Sequence, residues 1–273
     1  MNIGIRAHDL KKQPLADLVE DVAERGLSSV QLALGKSFDF FTDTGCLNPG
    51  VAFSVGDAFR RRGIQIAVLG CYVNIIHPDL DARKKALQDF KMHLRFARDF
   101  GCGVVGTETG NVNREIAYTE DNFHEKPFME VVKSVRELVD EAEKFGVVVG
   151  VEPGVNHPIY SPMTMRRLLD EVGSNNLQVI FDPVNLLTLG NYTNQHDIFD
   201  QALDLWGDRI VAVHAKDFYV ADGAFHYSPP GQGVIDYPYL MGKLKERKPY
   251  VNIILDELDR NDIEAAKNFL NDN

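Results

Sequence analysis

Short apolar runs alternate with longer amphipathic stretches along the chain, and the alternation is completed eight times. The first pair is NIGIRA at 2–7 followed by PLADLVEDVAERG at 14–26, where Leu15, Leu18, Val19, Val22 and Ala23 share one helical face. Pro14 suits a first helical turn and Gly26 a stop. The same grammar gives SSVQLAL (28–34) before a helix near 50–62, GIQIAVLGC (63–71) before one at 79–99, and CGVVGTE (102–108) before one near 127–145. In the second half, VVVGVE (147–152) precedes a helix at 162–172, and LQVIFD (177–182) precedes one near 194–206. RIVAVHAK (209–216) leads through a Gly/Pro-rich loop to a helix near 236–246, and YVNIILDE (250–257) leads to one near 263–270.

Eight strand–helix pairs in 273 residues predict a (β/α)₈ TIM barrel, expected as a single domain over residues 1–273. An open doubly wound sheet has the same period, but two observations count against it. GIRAHD after the first strand lacks the GxGxxG spacing of a dinucleotide site, and no linker or composition break marks a second domain. The connections after the strands are longer than those before them, notably 35–49, 108–124 and 217–233. Long excursions at the carboxyl face of a barrel are where substrate loops belong.

Charge and cysteine usage narrow the class. Lys+Arg 29 against Asp+Glu 40 gives a formal charge of -11, which disfavours bulk attraction to nucleic acid or to an anionic membrane. The first residues, MNIGIRAHDLKKQP, do not read as a signal peptide, and no apolar run approaches the length of a membrane span. Cys46, Cys71 and Cys102 are far apart and odd in number, which fits reduced thiols rather than a disulfide framework or a metal knuckle. A cytoplasmic protein is expected.

Four of the runs end in a residue that can hold a metal: Glu152, Asp182, His214 and Glu257. In a parallel barrel these four side chains converge at one mouth, and carboxylates with one imidazole suit a divalent ion such as Mn²⁺, Mg²⁺, Co²⁺ or Zn²⁺. Alternation places Glu152 with Gly150 and Val148, Asp182 with Ile180, His214 with Ala212, and Glu257 with Leu255. Asp256 is the inward residue instead if the last strand carries a bulge. Asp182 has a structural reading as a loop or helix cap, and His214 one as a hydrogen-bonded core residue. An ion in this cup would polarise a sugar carbonyl and stabilise an enediolate. Glu152 and Glu257, on well-separated strands, would take and return the proton.

On VGVEPG and its flank near 150–154, FDPVN (181–185), HAKD (214–217), PPGQG (229–233) and ILDE (254–257), the chain resembles the xylose-isomerase-like barrel family of sugar-phosphate isomerases and epimerases. The resemblance implies metal ligation by Glu152, Asp182, His214 and Glu257, proton transfer by the two glutamates, and a homodimer or homotetramer. Three positions depart from the ketose 3-epimerase branch: Asn185 replaces a His, Val220 an Arg and Pro158 a Glu. HAKD also resembles the HxKD of inosose dehydratases, so a lyase is the nearest alternative reaction.

His8, Asn74, Glu108, Asn156, His157, Asn185, Lys216 and His226 lie at strand ends or in the following loops and are the expected substrate contacts. The expected function is a metal-dependent isomerase or epimerase acting on a small sugar, sugar phosphate or polyol ketone. A dehydratase expelling water, a noncatalytic carbohydrate-binding protein and a phosphodiesterase are the competing readings. The last lacks the extra His ligands of a multinuclear site and a basic track for nucleic acid.

Overall fold

Strands covered on both faces are written as near-continuous apolar runs, and each of the eight expected runs forms one. The computed structural model describes residues 1–273. In chain order the elements are β1 (Asn2–Arg6), α1 (Leu15–Glu24), β2 (Ser29–Leu32), the short α2 (Leu34–Ser37), α3 (Pro49–Arg61) and β3 (Gln65–Gly70). They continue with α4 (Leu80–Phe96), β4 (Val104–Glu108), α5 (Glu125–Phe145), β5 (Val148–Glu152), α6 (Pro162–Val172), β6 (Leu177–Phe181) and α7 (Gln195–Trp206). The chain closes with β7 (Ile210–Ala215), β8 (Asp217–Ala221), β9 (Ala224–Ser228), α8 (Tyr237–Arg247), β10 (Asn252–Leu255) and α9 (Ile263–Asp272). Eight strands close into a parallel barrel in the order β1-β10-β7-β6-β5-β4-β3-β2, a (β/α)₈ TIM barrel. No helix is long and apolar enough to cross a membrane.

Helix boundaries follow local chemistry. Ser161 and Thr164 form a reciprocal capping box at the start of α6 with Pro162 in its first turn, and left-handed Gly173 ends it. Asn48 caps α3 through the Val51 N–H, again with Pro in the first turn.

The stretch 217–233 departs from expectation. Its first part is not a loop but the antiparallel β8–β9 hairpin, turned by Asp222 and Gly223 at φ 51° and 70°. Asp-Gly between two alternating segments is a strong short-range hairpin pattern, because both central residues accept positive φ. The buried Asp217 carboxylate then accepts the N–H groups of Phe218, Gly231, Gly233 and Ile235, tying the PPGQG segment back to the hairpin.

Two cores support the carboxyl mouth. The larger lies between barrel and helices; the smaller, Val68, Ile180 and Ala212, fills the barrel itself. Gly106 and Gly150 leave room for the Ile180 side chain, since a Cβ on either would stand 2.7 or 3.1 Å from Ile180 Cδ1. Ile180 therefore plugs the barrel two residues below Asp182. Ile180→Ala opens a cavity that two glycines cannot fill and is expected to cost about 2–5 kcal/mol of unfolding free energy, against about 0.5–1.5 kcal/mol for Ile180→Val. Denaturant midpoints at unchanged m-value measure both.

Candidate metal centre

In a closed sheet, residues paired in register on neighbouring parallel strands present the same face. Ile254 pairs with Gly4 and with His214, Glu108 with Glu152, and Arg6 with Gln31. Counting on by two from inward Ile180, His214 and Ile254 reaches Asp182, Lys216 and Asp256. Each barrel strand except β3 thus directs a polar residue into one layer at the carboxyl mouth. Tyr72, two residues past Gly70, completes that layer beside β3.

Within the layer, one ligand atom each of Glu152, Asp182 and His214 lie within 4.8 Å of one another, and all three residues are buried. His214 Nδ1 is 3.3 Å from Glu152 Oε2 and 4.0 Å from Asp182 Oδ2. Asp182 divides its two oxygens. Oδ1 accepts the N–H groups of Val184 and Asn185 at 2.9 and 3.1 Å, which pins the turn after β6. Oδ2 has no hydrogen-bond partner, and neither has His214 Nδ1. Buried polar atoms are rarely left so; Asp182 Oδ2 has only its ion pair with Lys216 Nζ at 3.2 Å, and both atoms face a space lined by the Glu152 carboxylate. Donor set and geometry both fit a divalent ion.

A hydrogen-bonded ring orients two of the three side chains. His214 Nε2 lies 2.8 Å from Gln31 Oε1, an atom that can only accept. In its neutral form the imidazole would then carry its proton on Nε2 and turn the Nδ1 lone pair into the site. Gln31 Nε2 donates to Tyr72 Oη at 3.2 Å, and Tyr72 donates to Glu152 Oε2 at 2.9 Å. Asn185 Nδ2 donates to the other oxygen, Glu152 Oε1, at 2.7 Å.

The last barrel strand ends in two adjacent carboxylates of opposite parity. Asp256, not Glu257, is its inward carboxylate: it is buried, its N–H continues the ladder to Ala215 O, and its Oδ2 is 3.8 Å from His214 Nδ1. Glu257 shares the outward parity of Leu255, which packs between barrel and helices. It then leaves the strand in a left-handed conformation at φ 55°, exposed on the rim. Its N–H binds Asp9 Oδ2. No bulge is needed; the strand is simply in the other phase.

A buried and a partly buried cation stand among these acids. Lys216 Nζ is 3.2 Å from Asp182 Oδ2 and 3.6 Å from Asp256 Oδ2, and 4.8 Å above the Tyr227 ring. The Arg6 guanidinium pairs with Asp256 and forks onto Asp9. Burial works against both charges, but the neighbouring carboxylates outweigh it and hold Lys216 protonated. Burial likewise opposes charge on His214, yet Glu152, Asp256 and Asp182 together raise it to about 9. Asp182 goes the other way: burial pushes it up to about 6, only partly opposed by Lys216.

Arg6, Glu152, His214, Lys216 and Asp256 line a cavity of about 760 Å³ at the carboxyl mouth, with Asp182 buried behind its wall. Of the expected substrate contacts, His8, Glu108, Asn156, His157, Asn185 and Lys216 lie on its wall. His157 Nδ1 is 2.8 Å from Gly110 O, with Nε2 3.6 Å from Glu108 Oε1. Burial, then the charges of Arg6 and Lys36, lower His8 to about 4, so its ring is neutral. Asn74 and His226 are elsewhere. Asn74 staples the loop after β3 to the loop after β4 through Asn111 and Asn113. His226 lies exposed on the hairpin, its Nε2 beside Ala221 O. The wall also contains Arg6, Gln31, Tyr72 and Asp256, which the sequence reading did not select.

The fold is shared with solved structures of low sequence identity. The chain is similar to 3-keto-D-glucoside 4-epimerase from E. coli, with TM-score 0.78 and 18% identity over 100% of both chains. It is similar to D-psicose 3-epimerase from Clostridium cellulolyticum H10, crystallised with D-tagatose, at TM-score 0.76 and 16% identity over 99% of this chain and 98% of that one. A third likeness is the IOLI protein with a bound zinc atom, at TM-score 0.73 and 18% identity over 100% of this chain and 96% of that one. No curated protein matches the chain in sequence. The model of the xylose isomerase-like TIM barrel family matches residues 19–272, and the chain belongs to that family.

Proposed function

We propose that this chain is a divalent-metal-dependent isomerase or epimerase of a small polyhydroxy ketone. The observation that carries the reading is the convergence of the buried Glu152 and Asp182 carboxylates and His214 Nδ1, one ligand atom of each within 4.8 Å of the others. Glu152, Asp182 and His214 would hold the ion, with Asp256 close by. The zinc in the structurally similar IOLI protein and the epimerase activities named for two other likenesses point the same way. Mn²⁺, Mg²⁺, Co²⁺ and Zn²⁺ all suit such donors.

A bound ion supplies Lewis acidity, which makes the C–H next to a ligand carbonyl more acidic. The protein supplies the rest. Glu152, aimed by Tyr72 and Asn185, takes the proton from one face. Asp256, whose Oδ2 reaches toward the same His214 Nδ1, is the carboxylate that returns a proton from another direction. Lys216 lies between Asp182 and Asp256 and presents N–H donors to a developing oxyanion. Glu257 lies on the rim of the same cavity, farther from the buried cluster than Asp256.

Turnover in D₂O is expected to place one solvent deuterium on the product carbon without loss of mass other than the isotope. Glu152→Gln and Asp256→Asn should each lower kcat by about 10²–10⁴-fold, while Glu257→Gln should not. A product lighter by one water would instead establish a dehydratase. Retained ligand binding with no exchange under any metal would leave a carbohydrate-binding protein.

Titration of the metal-free chain with Mn²⁺ or Zn²⁺ is expected to give one ion per chain, abolished by Asp182→Ala or His214→Ala. The His214 imidazole, raised to about 9 without an ion, must shed its proton to become a ligand. Between pH 7 and pH 8.5, apparent affinity should therefore rise about tenfold per pH unit, with one proton released per ion bound. Calorimetry in buffers of different ionisation enthalpy reads that proton directly; an affinity independent of pH would remove His214 from the ligand set.

A further inference from the structure

One arc of the cavity mouth carries large apolar side chains and the opposite arc does not. Following the barrel order, β10, β1 and β2 are contiguous, and so are β4, β5, β6 and β7. The first arc carries Arg6, His8, Lys36, Asp256 and Glu257 onto the wall. The second arc carries the polar Glu108, Asn156, His157, Asn185 and Thr188 and adds the large side chains of Ile116, Tyr118, Leu187, Leu189, Phe225 and Tyr227. Ile116, Tyr118 and Leu189 are 42%, 60% and 50% exposed, so the mouth gathers large apolar side chains that folding has left in water.

The cations of this cavity are already engaged. Arg6 is held by Asp9 and Asp256, and Lys216 by Asp182 and Asp256. Lys36 is the one cationic wall residue without a carboxylate partner, and it is an exposed side chain on the rim. Barrels that bind phosphate commonly do so with the loops after the seventh and eighth strands and a helix N-terminus. Here the segment after the eighth barrel strand is DELDRND at 256–262, which repels an anion. The segment after the seventh is the aromatic hairpin β8–β9.

From this division we infer that the substrate is an uncharged polyhydroxy ketone bearing an apolar substituent, such as a keto-glycoside with an aryl aglycone, and not a sugar phosphate. This inference rests on the proposed carbonyl chemistry for the orientation of the ligand. Its hydroxyl-bearing end meets the polar layer of Glu152, His214 and Lys216. Its apolar end lies against Ile116, Tyr118, Leu189 and Phe225. A cavity of about 760 Å³ lies within the range of roughly 300–1,000 Å³ typical of sites for ligands of that size. A phosphate ester would bring two negative charges to a wall where Lys216 and Arg6 already have carboxylate partners, leaving only the exposed rim residue Lys36 to meet it.

The test is a matched set of hexosides, each as its methyl glycoside, its phenyl glycoside and its methyl glycoside 6-phosphate, titrated calorimetrically into the metal-loaded protein. The phenyl form is expected to bind at least tenfold more tightly than the methyl form, and the 6-phosphate more weakly than either. In the double variant Tyr118→Ser, Leu189→Ser the phenyl advantage should fall to within about threefold while methyl-glycoside affinity is kept. Equal affinity of methyl and phenyl forms would overturn the proposal, as when a second copy of the chain covers the apolar arc. Tightest binding of the 6-phosphates, or no binding by any member, would overturn it too. Keto derivatives of the same set, followed for deuterium uptake, separate the two readings. Ranked binding without exchange ends the isomerase reading and leaves the ligand class standing; exchange that is fastest on phosphates does the reverse.

Discussion

Closure of the eight-stranded sheet is the constraint on which the rest depends. Once the strands tilt and pair in register around a ring, alternate side chains of every strand are committed to the interior, and a shift of one residue would expel them all. The lower interior is sealed by Ile180 against Gly106 and Gly150. Polar side chains of the inward phase are therefore confined to the carboxyl mouth, where Arg6, Gln31, Glu108, Glu152, Asp182, His214, Lys216 and Asp256 gather from seven strands. Such a concentration of acids, bases and hydrogen-bonding groups is stable only because nearly every member has a partner. The atoms without one mark where something else belongs.

Much of this could be read from the chain itself. The eight apolar runs pointed to the barrel, because the open doubly wound sheet of the same period would call for a dinucleotide loop or a domain break that the chain lacks. Glu152, Asp182 and His214 were legible because each ends a run in phase with small or apolar neighbours. Phase is also why the last strand was misread. The run YVNIILDE does not reveal where pairing begins, and a carboxylate stands on each parity at its end. Only the registration of Ile254 against Gly4 and His214 decides for Asp256.

Other residues were missed for different reasons. Gln31 was detectable, since an amide in the middle of a buried strand needs partners on the inside. Arg6 ends its strand on the same parity as Gly4 but looks like an ordinary surface residue. Tyr72 lies beyond its strand, and its reach to Glu152 depends on where the backbone leads. Asn74 shows the opposite error: a polar residue after a strand satisfies loop backbone rather than the mouth. The hairpin was legible in its Asp-Gly turn, masked by the Gly and Pro residues that follow.

The ring from His214 through Gln31 and Tyr72 to Glu152 has a thermodynamic consequence. Freely rotating ligands lose rotamer entropy when a cation gathers them, and that loss weakens capture. Here the imidazole and the glutamate are immobilised by protein groups before any cation enters, and Asp182 is immobilised by the turn it caps. The entropic cost of assembling the coordination cage is met during folding. If the cup holds a cation as proposed, its occupancy would respond chiefly to the charge and size of the ion, with selectivity set in advance by the protein's own hydrogen bonds.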